Sequence, residues 1–115
     1  MISITGCKSN NMTTIDSSKY AEPQYLYNKN SDIDMFVYED TVFENVSEID
    51  WVKELELTKG NLLGTIKETA VSKDFKDWDA TILEIGSNIY KTDRADILLV
   101  EINGLMIPYL KIVEG

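Results

Sequence analysis

Asn103-Gly104 lies between two apolar runs, Ile97-Leu98-Leu99-Val100-Glu101-Ile102 and Leu105-Met106-Ile107, and it constrains the fold more than any other stretch of the chain. Both residues tolerate the positive φ angles that the two central positions of a type I′ turn demand, and that turn matches the twist of two antiparallel strands. The dipeptide therefore predicts a hairpin of residues 97–102 and 105–113. In that register Leu98, Val100 and Ile102 share a face with Leu105, Ile107 and Tyr109, and this face must be covered. Pro108 has no N–H to give to a ladder, so it is expected at an edge or on the outward side of the return strand.

The same reasoning extends towards the N-terminus. Met35-Phe36-Val37-Tyr38 and Thr41-Val42-Phe43 are β-branched and aromatic runs separated by Glu39-Asp40, a gap of hairpin length that sets Val37 opposite Val42 and Phe36 opposite Phe43. Ser47, with Asp50 three positions on, reads as the N-cap of one short helix over residues 48–55 that carries Trp51 and Leu55. Residues 54–58 and 62–67 read as strands flanking Lys59-Gly60, and residues 88–92 as a strand following Gly86-Ser87. Residues 69–81 are polar and acidic and form the longest loop. No helical pattern is long enough to cross between parallel strands, so the fold class expected is mainly β (β-rich α+β): a small antiparallel sheet or partly open barrel with one short helix.

Composition bounds what this architecture can be used for. A chain of 115 residues, 43% hydrophobic, can support a single globular domain, and one cysteine leaves no intramolecular disulfide. Residues 25–115 are assigned to that domain and residues 1–24 to a flexible tether, since residues 8–19 are rich in Ser, Asn and Thr. The net charge of −9 is concentrated in residues 31–60, where nine carboxylates face two lysines. Such a surface repels phosphate backbones and argues against nucleic-acid binding, while it permits a basic protein or peptide partner. It also favours a soluble monomer.

Cys7 ends the tetrapeptide Ile4-Thr5-Gly6-Cys7, which resembles the lipobox of bacterial lipoproteins: an aliphatic residue, a small residue, Gly or Ala, then Cys. The implied modification is lipidation of Cys7, with an apolar segment encoded upstream of Met1 and the Ser/Asn/Thr-rich residues as the tether. Further along, Leu83-Glu84-Ile85-Gly86-Ser87-Asn88-Ile89-Tyr90, the apolar run 97–102, Asn103-Gly104 and Ile107-Pro108-Tyr109 resemble the C-terminal pattern of small lipoprotein-like proteins of Bacillus-type bacteria. That pattern runs Leu-Pro-x-Gly-Thr-x-Ile-Tyr, an apolar strand, an Asn-Gly or Asp-Gly turn and a Tyr-containing return strand. Here Glu84 stands for the Pro and Ser87 for the Thr. The resemblance implies a β-rich extracytoplasmic domain and carries over no activity.

The residues themselves offer little for catalysis. There is no histidine, which removes the usual general base, the Ser-His and Cys-His dyads and the commonest zinc ligand. No Gly-rich phosphate loop occurs, since Lys59-Gly60-Asn61 and Leu62-Leu63-Gly64 lack the spacing. Asp74, Asp77 and Asp79 could supply oxygen ligands. Read as an EF-hand from Asp77, however, the loop puts Ile82 at the glycine position and Asn88 at the closing glutamate, so no metal or other cofactor is assigned. Trp78 among these acids either anchors a partner or folds back to cap the core, the commoner fate of such a residue. The partner-binding candidates are thus Asp74, Asp77, Trp78 and Asp79, with no catalytic residue. The function expected is a non-catalytic, extracytoplasmic binding module held at the membrane only through a lipid on Cys7. The alternative is a cytoplasmic, acidic immunity-type or regulatory protein that neutralises a basic partner.

Overall fold

The computed structural model describes residues 22–113, so Cys7 and residues 1–21 of the proposed tether lie outside the described residues. The chain runs α1 (Pro23–Lys29), β1 (Met35–Tyr38), β2 (Thr41–Asn45), α2 (Asp50–Lys53), β3 (Lys59–Thr65), β4 (Asn88–Thr92), β5 (Ile97–Ile102) and β6 (Leu105–Lys111). The strands form one antiparallel sheet in the order β1-β2-β6-β5-β4-β3, curled into a half-barrel. The β-rich class with a short helix is as expected from the sequence.

The two hairpins fold in the anticipated registers. Phe36 pairs with Phe43 and Val37 with Val42, while Leu98, Val100 and Ile102 pair with Tyr109, Ile107 and Leu105. Asn103 and Gly104 take φ of 52° and 81°, as a type I′ turn requires. Glu39 and Asp40 make the same turn with φ of 52° and 57°, at a steric cost that Asn-Gly would largely avoid. Replacing Glu39-Asp40 by Asn-Gly is therefore expected to stabilise the domain by about 1 kcal/mol, read as a raised urea midpoint at unchanged slope.

Strand alternation divides the apolar side chains between two faces. Phe36, Phe43, Ile89, Leu98, Val100 and Tyr109 fill the concave face, with Ile66, Ala80 and Leu83 from the connections. Ile33, Met35, Val37 and Val42 are buried on the other side, against Leu26 and Tyr27 of α1 and against Phe75. Burial on both faces explains why β1 reads as a continuous apolar run. Helix α1, opened by Pro23 at its start, was not anticipated, and it begins inside the stretch assigned to the tether.

Four local expectations are corrected. The second helix spans only Asp50–Lys53, is preceded by Ile49 with no side-chain cap, and buries Val52 while Trp51 is left exposed. Ser47 does not cap it, because its N–H and hydroxyl both donate to Asn45 Oδ1 at 2.9 and 2.8 Å in an Asx-type turn. Lys59-Gly60 is no turn: it opens β3, with Lys59 paired to Thr92, and residues 54–58 are not a strand. Pro108 is not at an edge, since β6 lies between β2 and β5, although it does take the outward side of the strand, opposite Tyr109, that was the other expectation. Its carbonyl accepts from Val46 N at 3.0 Å, just past the end of β2, so the missing N–H points to the same side, where the ladder has already ended.

Residues 69–81, read as a loop, join the two free edges of the sheet. Val37 N donates to Asp79 O at 3.0 Å and Thr81 N to Met35 O at 3.0 Å, which binds the segment to β1. On its other side Lys67 N donates to Trp78 O and Ala80 N to Glu68 O, both at 2.9 Å, tying it to the continuation of β3. Edge strands that would otherwise present unpaired backbone groups are covered in this way.

Candidate functional site

The half-barrel has two open ends of opposite electrical character. At the end where β1 and β4 begin and β5 turns into β6, a pocket of about 500 Å³ is lined by Asp34, Glu84, Glu101, Ser87 and Asn103 among others, with no Lys or Arg. Ile82, Ile85 and Leu105 stand exposed at this end, at 54%, 61% and 65% of their full accessibility. At the opposite end, where β4 and β6 finish, a second pocket of about 560 Å³ is lined by Lys91, Arg94 and Lys111 with Glu39 and Asp93, over Tyr38, Phe43, Leu63 and Leu98.

A half-buried polar network around the buried Tyr109 fixes the acidic end. The Tyr109 hydroxyl donates to both oxygens of Asp34 at 2.8 and 2.9 Å, and Asn45 Nδ2 donates to Asp34 Oδ2 at 3.0 Å. Burial, and then the neighbouring Asp34 charge, push the Tyr109 phenol far above its usual range, so it remains a donor. Glu44, one residue before Asn45, is raised above the ordinary carboxylate value of 4.5, first by burial and then by Asp34. A carboxyl raised in the folded state keeps its proton longer there than in the unfolded chain. Its contribution to stability therefore falls as pH rises from about 4.5 through the folded value, and it stays lowered above. Glu44→Gln is expected to match the parent below pH 4 or so and to be the more stable protein at pH 7, as denaturant curves at the two pH values would show.

The structure gives three of the sequence-predicted site residues, Asp77, Trp78 and Asp79, framework roles and leaves Asp74 exposed. Trp78 has φ of 70°, an uncommon value for a bulky residue, and the backbone bonds on both sides hold it there. Its ring is turned inward, stacked 4.7 Å from Tyr38 and packed on the concave core. Asp79 is buried and its Oδ2 accepts from Lys76 N at 2.8 Å, so it closes a turn and does not face solvent. Asp77 Oδ1 accepts from Asp40 N at 3.2 Å, which ties this segment to the β1–β2 turn, and Asp74 is exposed. Among the described residues no three acids converge in a metal-binding group, and no helix is long and apolar enough to cross a membrane.

Sequence reasoning missed both pockets. Their lining residues come from segments far apart in the chain, and the one available signal was that Lys91 and Lys111 occupy core-facing positions of strands, where a charge is out of place. Arg94 is held at the rim by Asp96, with Nε and Nη2 donating to its two oxygens at 3.0 and 2.9 Å, and this pairing keeps the Asp96 carboxyl below its usual range. The Thr92 hydroxyl donates to the carbonyls of Arg94 and Ile97 and accepts from Arg94 N, fixing the intervening turn. Comparison with known proteins brought no match to a family model, to a curated protein or to a solved structure.

Proposed function

We propose that this chain is a non-catalytic, extracytoplasmic binding module, anchored by lipid on Cys7, that docks a basic protein or peptide. The observation that carries this reading is the acidic end of the half-barrel: Asp34 and Glu84, with Glu101 of β5 whose carboxylate accepts from the Tyr90 hydroxyl at 3.3 Å, line a pocket free of cations, with Ile82, Ile85 and Leu105 exposed beside it. Carboxylates beside exposed aliphatic side chains suit a partner segment carrying both Lys or Arg and apolar residues. The location of this surface differs from the one expected from sequence, because Asp79 and Trp78 are committed to the fold. The lipobox resemblance at Cys7 and the lipoprotein-like pattern at residues 83–109 support the anchored form over a cytoplasmic immunity-type protein.

One experiment addresses both parts. The gene is expressed in a Gram-positive host with its upstream codons, alongside a Cys7→Ala variant, and the soluble chain is titrated with Lys/Leu-containing peptides at low and high salt. Membrane partition that depends on Cys7 is expected. The peptides should bind more weakly once ionic strength passes about 0.1 M, where screening over ~10 Å sets in, and Glu84→Lys with Glu101→Lys should abolish the salt dependence. A soluble, unacylated product returns the protein to the cytoplasmic alternative, and peptide affinity indifferent to salt and to charge reversal removes the basic partner.

A further inference from the structure

The opposite mouth of the half-barrel has the reverse chemistry, and it does not depend on the anchoring or on the basic-partner reading. Strand alternation places Lys91 on the face of Ile89, and Lys111 on the face of Tyr109, so both lysines belong to the concave side that the aromatic core fills. Lys111 pairs in register with Phe43 across β2 and β6. Leu98 pairs with Tyr109, one step inward on the neighbouring strand, and the two lysines flank it at the mouth. In a chain with eleven cationic residues against twenty acids, the lining of this mouth gathers three cations with two acids, and a third acid, Asp96, is paired with Arg94 at the rim.

Not all of these charges are available to a ligand. Arg94 is bonded through two nitrogens to Asp96, and Asp93 Oδ1 accepts from Thr58 N at 3.1 Å. Lys91 and Lys111 form no ion pair within 4.0 Å among the described residues, although Lys111 lies near enough to Asp96 to help hold that carboxyl low. Beneath them the floor is apolar: Phe43 and Leu98 are buried, while Tyr38 and Leu63 are half-buried ends of the same core cluster. The cavity, about 560 Å³, lies within the range of ~300–1,000 Å³ typical of small-molecule sites. It lies at the mouth of the half-barrel, with apolar side chains at its floor and a polar, charged rim of Glu39, Lys91, Asp93, Arg94 and Lys111.

From this geometry we infer that the cationic mouth binds a single-chain amphiphile with an anionic headgroup. The apolar chain lies on Tyr38, Phe43, Leu63 and Leu98, and the headgroup is held between the Lys91 and Lys111 ammonium groups. Each lysine is a compact point charge that can follow a carboxylate or a phosphate, and the interaction is strengthened by the apolar floor below it. A cationic amphiphile is rejected by the same pair of charges. The rim is rigid because Thr92 and the Arg94–Asp96 pair fix the β4–β5 turn, so little ordering is required on binding.

The protein carries its own reporter. Trp78 stacks on Tyr38, a lining residue, and Trp51→Phe, which keeps an aromatic ring beside the rim Arg94, leaves Trp78 as the sole tryptophan. The full chain with this background is titrated with dodecanoate below its micelle concentration, and with dodecyltrimethylammonium and dodecanol as matched chains. Saturable binding of dodecanoate is expected, at least about tenfold tighter than either control, since a charge-assisted contact contributes roughly as much as a tenfold change in Kd. Lys91→Glu with Lys111→Glu should lower dodecanoate affinity by about tenfold or more, and Lys91→Gln with Lys111→Gln, which adds no repulsion beside Asp96, should lower it while the chain stays folded because both side chains are exposed. Lys91→Arg with Lys111→Arg should retain it. Vesicles doped with single-chain lysophosphatidylglycerol distinguish the source: lysolipid carried off by the protein points to a membrane-derived amphiphile, and dodecanoate binding without lysolipid uptake points to a free one. Equal binding of the three dodecyl probes, no binding of any, or indifference to the Lys→Glu pair overturns the inference.

Discussion

Phe36→Ala is expected to remove about 3–5 kcal/mol of stability, the usual cost of truncating a fully buried aromatic ring. Phe36 has no accessible surface, and its ring centroid lies 5.4 Å from Phe43 in a stacked arrangement, 5.4 Å from Tyr109 and 6.3 Å from Trp78. Its loss would open a cavity between strands β1, β2 and β6 and the closing segment, and backbone pairing on both sides of β1 prevents that cavity from collapsing. A domain of this size holds only about 5–15 kcal/mol in total, so the variant should be barely folded at 37 °C. Urea denaturation followed by tryptophan fluorescence measures the loss. A change under about 1 kcal/mol would mean that the aromatic cluster does not form the centre of the core.

Gly64→Ala should cost about 1–3 kcal/mol, a large effect for adding one methyl group, because the site is already full. A Cβ on Gly64 would come within 2.6 Å of Trp78 Cζ2 and 2.9 Å of Cε2. The indole cannot retreat easily, since it stacks on Tyr38 and its own backbone is bonded to Val37 and Lys67. The register shift between Leu62 and Gly64 brings this stretch of β3 close to the ring. The clash involves only the six-membered part of the indole, so Trp78→Phe should relieve it. In a double-mutant cycle Gly64→Ala should then be nearly neutral in the Trp78→Phe background, giving a coupling of about 1 kcal/mol or more. Additive effects of the two substitutions would show that Gly64 is there for another reason.

These two residues mark where sequence reading stopped. Phe36 was legible: it lies in an apolar run beside a two-residue gap, and local pairing alone gives its partner Phe43. Gly64 was not, because what requires glycine there is a tryptophan fourteen positions away that arrives through an irregular segment. The same applies to Asp79. An acid in a polar stretch, it reads as a solvent-facing binding residue, and only the bonds of residues 77–81 to both β1 and the continuation of β3 turn it inward, while Trp78 packs on the core as the commoner of its two expected fates. Ser47 shows the competition at short range, since its cap signature was overridden by Asn45, a nearer acceptor.

The sequence by itself determined the elements whose information is local: the turn at Asn103-Gly104, the registers it imposes, the β1–β2 pairing and the β-rich class. Each follows from the two-residue period of a strand or from the φ angles a turn requires, and neither depends on distant residues. Tertiary structure alone decided the order β1-β2-β6-β5-β4-β3, the central place of Pro108 and the bridging of the sheet edges by residues 77–81. It also decided the charges of the two ends, since curling the sheet sets Asp34 with Glu84 and Glu101 at one mouth and Lys91 with Lys111 at the other. A net charge of −9 says how much of each sign the chain carries, and only the fold says where each sign collects.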